Sequence, residues 1–148
     1  MGKLSHTKED GSVNMVDITQ KEEQFRKAIA SGSITLNSET IELVKNNQIK
    51  KGSVLTAAQI AGIMAAKKCS DIIPLCHPIS LTSIDVETTL TESGVKVIST
   101  AICNGKTGVE MEALTAVSAA LLCIYDMCKA VDKKMVISDI KLIEKIKL

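Results

Sequence analysis

The sequence predicts an α+β fold in which helices cover one face of an antiparallel sheet. Residues 81–90 alternate apolar and polar side chains, which is the period of a half-buried strand. A Thr-Glu-Ser-Gly turn at residues 91–94 leads into a second predicted strand over residues 95–103, so the two strands form a hairpin. A long apolar helix over residues 108–129 and a final strand over residues 137–146 follow the hairpin.

The first part of the chain has weaker patterns. Residues 1–12 are polar and rich in glycine and serine, so we expect a flexible N-terminal arm ahead of a single domain over residues 13–148. Residues 15–18 are compatible with a short strand. Residues 20–30 have helical propensity with only a thin apolar stripe, whereas residues 34–36 favour a strand. The pattern leaves both structures open for this stretch.

Two helices are predicted before the hairpin, over residues 38–45 and residues 56–68. The second is rich in alanine and contains Gly62, which predicts close packing against a neighbouring element. Its larger apolar residues fall on one face: Ile60, Ile63 and Met64.

The long helix carries signals at both ends. Thr107 with Glu110 three places later has the pattern of a capping box, and Lys129 at the far end suits the helix dipole. If residues 22–36 contain a strand, the order of elements is the split β-α-β order of a ferredoxin-like fold.

Composition limits the classes of function. The 148 residues suit one domain, and 45% hydrophobic content with one Phe, one Tyr and no Trp predicts an aliphatic core. A net charge of +1 and the shortage of aromatic residues argue against nucleic-acid binding. The five cysteines are odd in number and lack the C-x-x-C spacing of a zinc or redox site, so we expect them to act as small hydrophobic residues in a reducing compartment. With no signal-peptide pattern and no apolar run of about 18 residues, we expect a cytoplasmic protein without membrane partners.

The most informative segment is residues 71–78, which holds both prolines and places His77 directly before Pro78. Prolines four apart prevent a helix and stiffen the backbone, so His77 is biased toward an extended conformation. Two interpretations stay open: a positioned proton donor or hydrogen-bond partner, and a proline-rich connection whose histidine only caps a neighbouring group. The adjacency of Cys76 and His77 argues against a metal site, because adjacent ligands strain tetrahedral geometry.

A Gly-Lys-Thr sequence within residues 104–108 resembles part of a phosphate-binding loop. The loop also requires a glycine at the position that Thr100 occupies, so a nucleotide-hydrolase P-loop is rejected. A glycine-rich turn before a helix can hold an anion through free N–H groups. A simple corner between the hairpin and the helix is the favoured interpretation of this turn.

Charged residues lie near both ends of the long helix. Glu110 and Glu112 are roughly 200° apart around it, and because capping accounts for Glu110, Glu112 is the carboxylate of interest. Asp126 and Lys129 share a face, as either an ordinary ion pair, which the pattern favours, or a pocket pair for proton transfer. Lys51, taken alone, indicates a solvated loop.

Three segments together are more specific than any one of them. They read Asp-Ile-Ile-Pro-Leu-Cys-His-Pro at residues 71–78, Gly-Lys-Thr-Gly-Val-Glu-Met-Glu-Ala-Leu-Thr-Ala at residues 105–116 and Ile-Tyr-Asp-Met-Cys-Lys-Ala at residues 124–130. Over residues 14–146 the chain resembles the cyclic pyranopterin monophosphate synthase family of molybdenum cofactor biosynthesis.

The resemblance implies a lyase. Members of the family convert cyclised dihydroguanosine triphosphate to cyclic pyranopterin monophosphate and release pyrophosphate, without a metal or organic cofactor. The resemblance also implies a ferredoxin-like catalytic domain. It further implies a homohexamer, assembled as a trimer of dimers with active sites between subunits.

The resemblance also assigns roles to individual residues. Asp126 corresponds to the family's catalytic aspartate, and Lys51 and Lys129 correspond to lysines of the pocket that we expect to be catalytic. Two short segments correspond to substrate-binding positions: Leu75, Cys76, His77, Met111 and Glu112. Arg26 corresponds to an arginine near the phosphates.

The spacing of two of these residues makes a prediction about assembly. Fourteen positions separate Glu112 from Asp126, which is roughly 21 Å along a straight helix. One pocket can hold both only if the ligand is long or if each comes from a different subunit. We expect the second case, with the long helices of two chains antiparallel across a two-fold axis. Many family members also carry a Lys-, Gly- and Ser-rich tail that is not seen here, so Lys145 or Lys147 is the candidate for its phosphate contact.

Overall fold

The computed structural model describes residues 4–148, so residues 1–3 of the predicted N-terminal arm lie outside the described residues. The helices and strands, in chain order, are β1 (Gln24–Thr35), α1 (Ser38–Lys45), α2 (Val54–Lys67), α3 (Cys69–Ile72), β2 (Ser83–Leu90), β3 (Gly94–Gly105), α4 (Glu110–Cys128) and β4 (Val136–Lys147).

The four strands form one antiparallel sheet in the order β2-β3-β1-β4. α4 packs on β1, β3 and β4, and α2 packs on α4 and β2, so the two long helices cover the same face. The predicted α+β fold is confirmed. The strand order is that of the ferredoxin-like split β-α-β arrangement.

β1 settles the open choice between helix and strand in the first part of the chain. It lies in the middle of the sheet and pairs along its length with β3, for example Ala28 opposite Ala101. Ala28, Ala30 and Ile34 alternate into the core and are at most 1% exposed. Pairing on both sides and burial outweigh the helical propensity of the polar residues around position 22.

α2 and α4 approach closely because small residues lie between them. Ala58, Gly62 and Ala66 form the buried face of α2. A Cβ added at Gly62 would lie 2.9 Å from the backbone oxygen of Ala116. Of the predicted larger apolar face, Ile60 and Met64 point away from the core, at 54% and 56% exposed, whereas Ile63 packs against it.

The predicted strand over residues 15–18 was wrong. These residues pair with no strand. The Val16 carbonyl instead accepts a hydrogen bond from His77. Ahead of them, an isolated bridge joins Thr7 to Val13.

α4 is long and apolar enough, by length and composition, to cross a membrane, which differs from the expectation that no apolar run reaches that length. Half of this stretch is buried inside the fold. Ala113, Val117, Leu121 and Ile124 are fully buried. The helix is therefore accounted for as the core helix of the domain.

Candidate active site

A cluster of two lysines and one aspartate lies at the C-terminal end of α4. Asp126 Oδ2 is 2.9 Å from Lys51 Nζ, and its Oδ1 is 2.9 Å from Lys129 Nζ. Lys51 also donates to the Asp126 backbone carbonyl at 3.0 Å. The loop after α1 thus brings Lys51 to residues far away in sequence, and we call these three residues the lysine–aspartate cluster.

The electrostatics of this cluster favour full ionisation. Hydrogen bonds from Lys129 and then Lys51, with their charges, lower the pKa of Asp126 to about 2. The hydrogen bond to Asp126 and its negative charge raise the pKa of Lys129. All three side chains are about half exposed. The cluster therefore presents one excess positive charge to a ligand.

A second group of predicted residues lies at the other end of α4. Leu75, Cys76 and His77 from the proline segment and Met111 and Glu112 from the start of α4 line one cleft of about 290 Å³. The two substrate-binding segments predicted from the sequence therefore meet at a single cleft.

Glu112 is the buried carboxyl of this cleft. It is 3% exposed, and burial raises its pKa, with the charge of Glu110 adding to the effect. Within residues 4–148 no cationic side chain pairs with it. A carboxyl that is desolvated but faces a cleft is suited to accept hydrogen bonds from a ligand.

His77 and the neighbouring thiols complete the polar wall. His77 Nε2 lies 2.6 Å from the carbonyl oxygen of Val16. Burial raises the pKa of the Cys76 thiol, and burial raises the pKa of Cys69 to about 11. Both thiols are protonated near neutrality, so they act as weak donors and not as nucleophiles.

The capping box predicted at Thr107 and Glu110 was wrong. α4 begins after Val109, whose side chain makes no capping hydrogen bond. Glu110 instead forms an ion pair with Lys145 of β4, at 2.6 Å between Oε1 and Nζ. Lys145, one of the two candidates for a phosphate contact, is thereby paired with Glu110, which lines the cleft.

Arg26 does not line the cleft. It is 9% exposed, and its guanidinium donates to the carbonyls of Gly105 and Lys106 at 3.3 Å. Arg26 thus fixes the turn that precedes α4.

Sequence reasoning missed several residues of the cleft, because they come from the N-terminal stretch, which carries no local motif. Ser5, His6, Val16, Ile18 and Lys21 all line it. Three of them, Val16, Ile18 and Lys21, fall within residues 14–146, over which the chain resembles the family, and this overall resemblance is the signal that could have drawn attention to them.

The two groups lie at opposite ends of one helix. Glu112 is in the first turn of α4 and Asp126 in its last, so about 21 Å of helix separates them. One chain therefore carries two separate groups of predicted site residues. Among residues 4–148, no group of three or more His, Cys, Asp or Glu side chains is arranged to hold a metal ion.

Comparison with known proteins supports the family resemblance that the three motif segments of the sequence indicate. The model of the MoaC family matches residues 15–147. A protein of Heliobacterium modesticaldum named cyclic pyranopterin monophosphate synthase is 54% identical over 147 residues, which cover 98% of this chain and 92% of the relative. Proteins with the same name from Peptoclostridium acidaminophilum (53% over 142 residues, 96% of this chain and 90% of the relative) and Clostridium perfringens (53% over 146 residues, 97% and 92%) are similar. Since the match covers nearly the whole chain and includes both groups of predicted residues, the chain belongs to the MoaC family.

Proposed function

We propose that this chain is a cyclic pyranopterin monophosphate synthase, which converts cyclised dihydroguanosine triphosphate to cyclic pyranopterin monophosphate and releases pyrophosphate. The lysine–aspartate cluster is the observation that carries the proposal. Lys51 and Asp126 are 75 positions apart in sequence, yet they meet at hydrogen-bonding distance in a chain whose relatives bear this name.

The reaction requires proton transfers and charge neutralisation. Rebuilding a purine into a pterin moves protons at ring nitrogens and ribose carbons. Closing the cyclic phosphate requires an alkoxide to attack the innermost phosphorus while pyrophosphate leaves. Ammonium groups of Lys51 and Lys129 supply acid groups for the first task and offset phosphate charge for the second.

Asp126 acts in this proposal by holding the lysines. With a pKa of about 2, its carboxyl is ionised throughout the physiological range, so it is a poor proton donor. Its two oxygens each bind one ammonium group. Asp126 therefore orients Lys51 and Lys129 toward the substrate.

The cleft binds the guanine-derived ring in this proposal. Glu112 and His77 offer hydrogen bonds, and Leu75, Cys76 and Met111 pack against the ring. Arg26 contributes by fixing the glycine-rich turn, whose N–H groups and Lys106 are available to the phosphates.

We propose that each active site combines half-sites from two subunits, within a homohexamer built as a trimer of dimers. The exposed side of α4 supports contact with a second copy of the chain. Leu122 is 61% exposed and Tyr125 38%. Leu122 also lines an apolar groove of about 270 Å³, together with residues that include Ile72, Met111 and Leu114. Antiparallel α4 helices would place the Asp126 end of one chain beside the Glu112 end of its partner.

We further propose that residues 13–148 form a single catalytic domain behind an arm of residues 1–12, and that the enzyme acts in the cytoplasm. The single sheet over β1 to β4 supports one domain. The five free cysteines are compatible with a reducing compartment.

A pyrophosphate-release assay with the cyclised nucleotide tests the function. We expect turnover by the wild type, and a loss of roughly 100-fold or more in Asp126→Ala and Lys51→Ala. Lys45→Ala is the matched control, since Lys45 lies in an exposed pair with Glu42 on α1, and it should keep full activity. Tight nucleotide binding without pyrophosphate release would instead identify a non-catalytic pterin-binding protein.

A further inference from the structure

The segment of residues 15–21, which we call the N-terminal strap, forms one wall of the cleft. Val16, Ile18 and Lys21 line the cavity. The strap is attached to the rest of the domain at two points. His77 Nε2 lies 2.6 Å from the Val16 carbonyl oxygen, and Lys106 Nζ donates to the Thr19 carbonyl at 2.9 Å.

The bond to Val16 determines where the His77 proton is. A carbonyl oxygen can only accept a hydrogen bond, so Nε2 must carry hydrogen. A neutral imidazole has one N–H group, and the nitrogen that is not protonated keeps a lone pair. Neutral His77 is therefore held as the Nε2–H tautomer, with Nδ1 as an acceptor.

No group within residues 4–148 forms a hydrogen bond with Nδ1, so this nitrogen is available to a ligand. The other ligand-facing acceptor is the Glu112 carboxyl, which lines the same cleft. A guanine-derived ring carries N–H donors on its ring and exocyclic nitrogens. His77 Nδ1 and the Glu112 carboxyl are both acceptors, so they match the N–H donors on the edge of a guanine-derived ring. An adenine-type ring would instead place one of its own acceptor nitrogens against them, which is unfavourable.

We propose that Val16 is a positioning residue, whose backbone carbonyl fixes the tautomer of His77 so that Nδ1 accepts a hydrogen bond from the substrate's ring. This inference rests on the proposed function for the identity of the donor. It assigns His77 the role of acceptor, and it makes the strap part of the specificity of the site.

The tautomer can be measured without any assay of activity. The chain has two histidines, so nitrogen NMR of protein labelled with ¹⁵N-histidine resolves them, and the His77→Gln variant assigns the peaks. In the assembled wild-type protein above the pKa of the imidazole, we expect a pyrrole-type signal from Nε2 and a pyridine-type signal from Nδ1. A pyridine-type Nε2, or an averaged pair of signals, would overturn the proposal.

Two replacements of His77 separate the strap contact from the substrate contact. Gln places an N–H near the former Nε2, and Asn places an amide near the former Nδ1. In His77→Gln we expect the strap amides to keep their protection from hydrogen exchange, while kcat/KM falls roughly 10-fold for the loss of one hydrogen bond. In His77→Asn the strap should lose its protection.

Each other outcome has a defined meaning. Full kcat/KM in His77→Gln would show that Nδ1 binds nothing of importance. Unchanged strap protection in His77→Asn would show that the Val16 contact does not hold the strap. Either result overturns the inference. Failure of the wild type to release pyrophosphate would reject the proposed function and leave the tautomer measurement to be judged separately.

Discussion

Asp126 is held between two ammonium groups, and they do not contribute equally. The hydrogen bond from Lys129 is the largest cause of the lowered pKa of Asp126, followed by that from Lys51. Two ammonium groups that each bind one carboxylate oxygen can therefore lower the pKa of an exposed carboxyl through hydrogen bonds and charge, without burial.

The unequal contributions give the first prediction. In a carbon NMR titration of the carboxyl, the pKa of Asp126 should be about 2 in the wild type. It should rise further in Lys129→Met than in Lys51→Met. Lys133→Met is the control, because the Lys133 ammonium binds the Lys129 carbonyl and not the carboxylate. A larger rise in Lys51→Met would contradict the assignment of causes.

The second prediction concerns Glu112, whose pKa is raised, whereas that of Asp126 is lowered. Burial raises its pKa above the ordinary value of 4.5, so the folded protein binds a proton that the unfolded chain has already released. Stability therefore falls as pH rises from about 4.5 through the raised value. Glu112→Gln should melt at a higher temperature than the wild type near pH 8, and the two should converge below about pH 4.

The same variant should lose activity. Replacing the carboxyl that accepts hydrogen bonds from the substrate should lower kcat/KM roughly 10- to 100-fold. Glu110→Gln is the matched control, since it breaks the pair with Lys145 and should bring no gain in melting temperature. Equal melting temperatures for Glu112→Gln and wild type at high pH would show that the carboxyl is not desolvated.

At the scale of elements, α4 decides the geometry of both half-sites. It carries Met111 and Glu112 in its first turn and Asp126 in its last, and it packs on three strands and on α2. Because the helix is rigid and mostly buried on one side, the separation of the half-sites is fixed within a chain.

The contact between α2 and α4 gives the third prediction. Helix propensity alone predicts that Gly62→Ala raises the free energy of unfolding by about 1 kcal/mol. The added Cβ would lie 2.9 Å from the Ala116 backbone oxygen, which cannot move without shifting α4. We expect the steric overlap to outweigh the gain in helix propensity, so that the free energy of unfolding falls by about 1–2 kcal/mol.

Denaturant unfolding measures this, with Ala61→Gly as the neighbouring control. Ala61 lies on the half-buried side of α2, so it should lose about 1 kcal/mol through propensity alone. An increase in stability in Gly62→Ala would mean that the helices are less closely packed than the structure shows.

At the scale of the whole molecule, the half-sites predict complementation between subunits. Lys51→Ala and Glu112→Ala damage different half-sites, so each variant alone should be inactive. In mixed dimers one site receives both changes and the other receives none. After subunit exchange, an equal mixture should recover about a quarter of wild-type pyrophosphate release if the subunits mix randomly.

Two controls make the complementation decisive. Lys51→Ala mixed with Asp126→Ala should recover nothing, because both changes lie in the same half-site. Subunit exchange is followed by mass spectrometry with differently labelled chains. Exchange without recovery in the first mixture would place each site within one chain.

The sequence by itself determined the family and the α+β class, because these depend on motifs of adjacent residues and on the period of apolar side chains. The hairpin and α4 follow local patterns, so both were predicted within a few residues. The capping box at Thr107 and the strand at residues 15–18 were wrong, since ion pairing with Lys145 and the bond to His77 come from distant elements.

Only the tertiary structure decided three matters. Pairing with β3 and β4 made residues 24–35 a strand in spite of their helical propensity. The loop after α1 places Lys51, which the local sequence indicates only as a solvated lysine, within hydrogen-bonding distance of Asp126. The N-terminal strap became a wall of the cleft. Each of these three depends on contacts between residues far apart in sequence. Such contacts contribute free energy only when the chain has folded, and they leave no periodic pattern along the sequence.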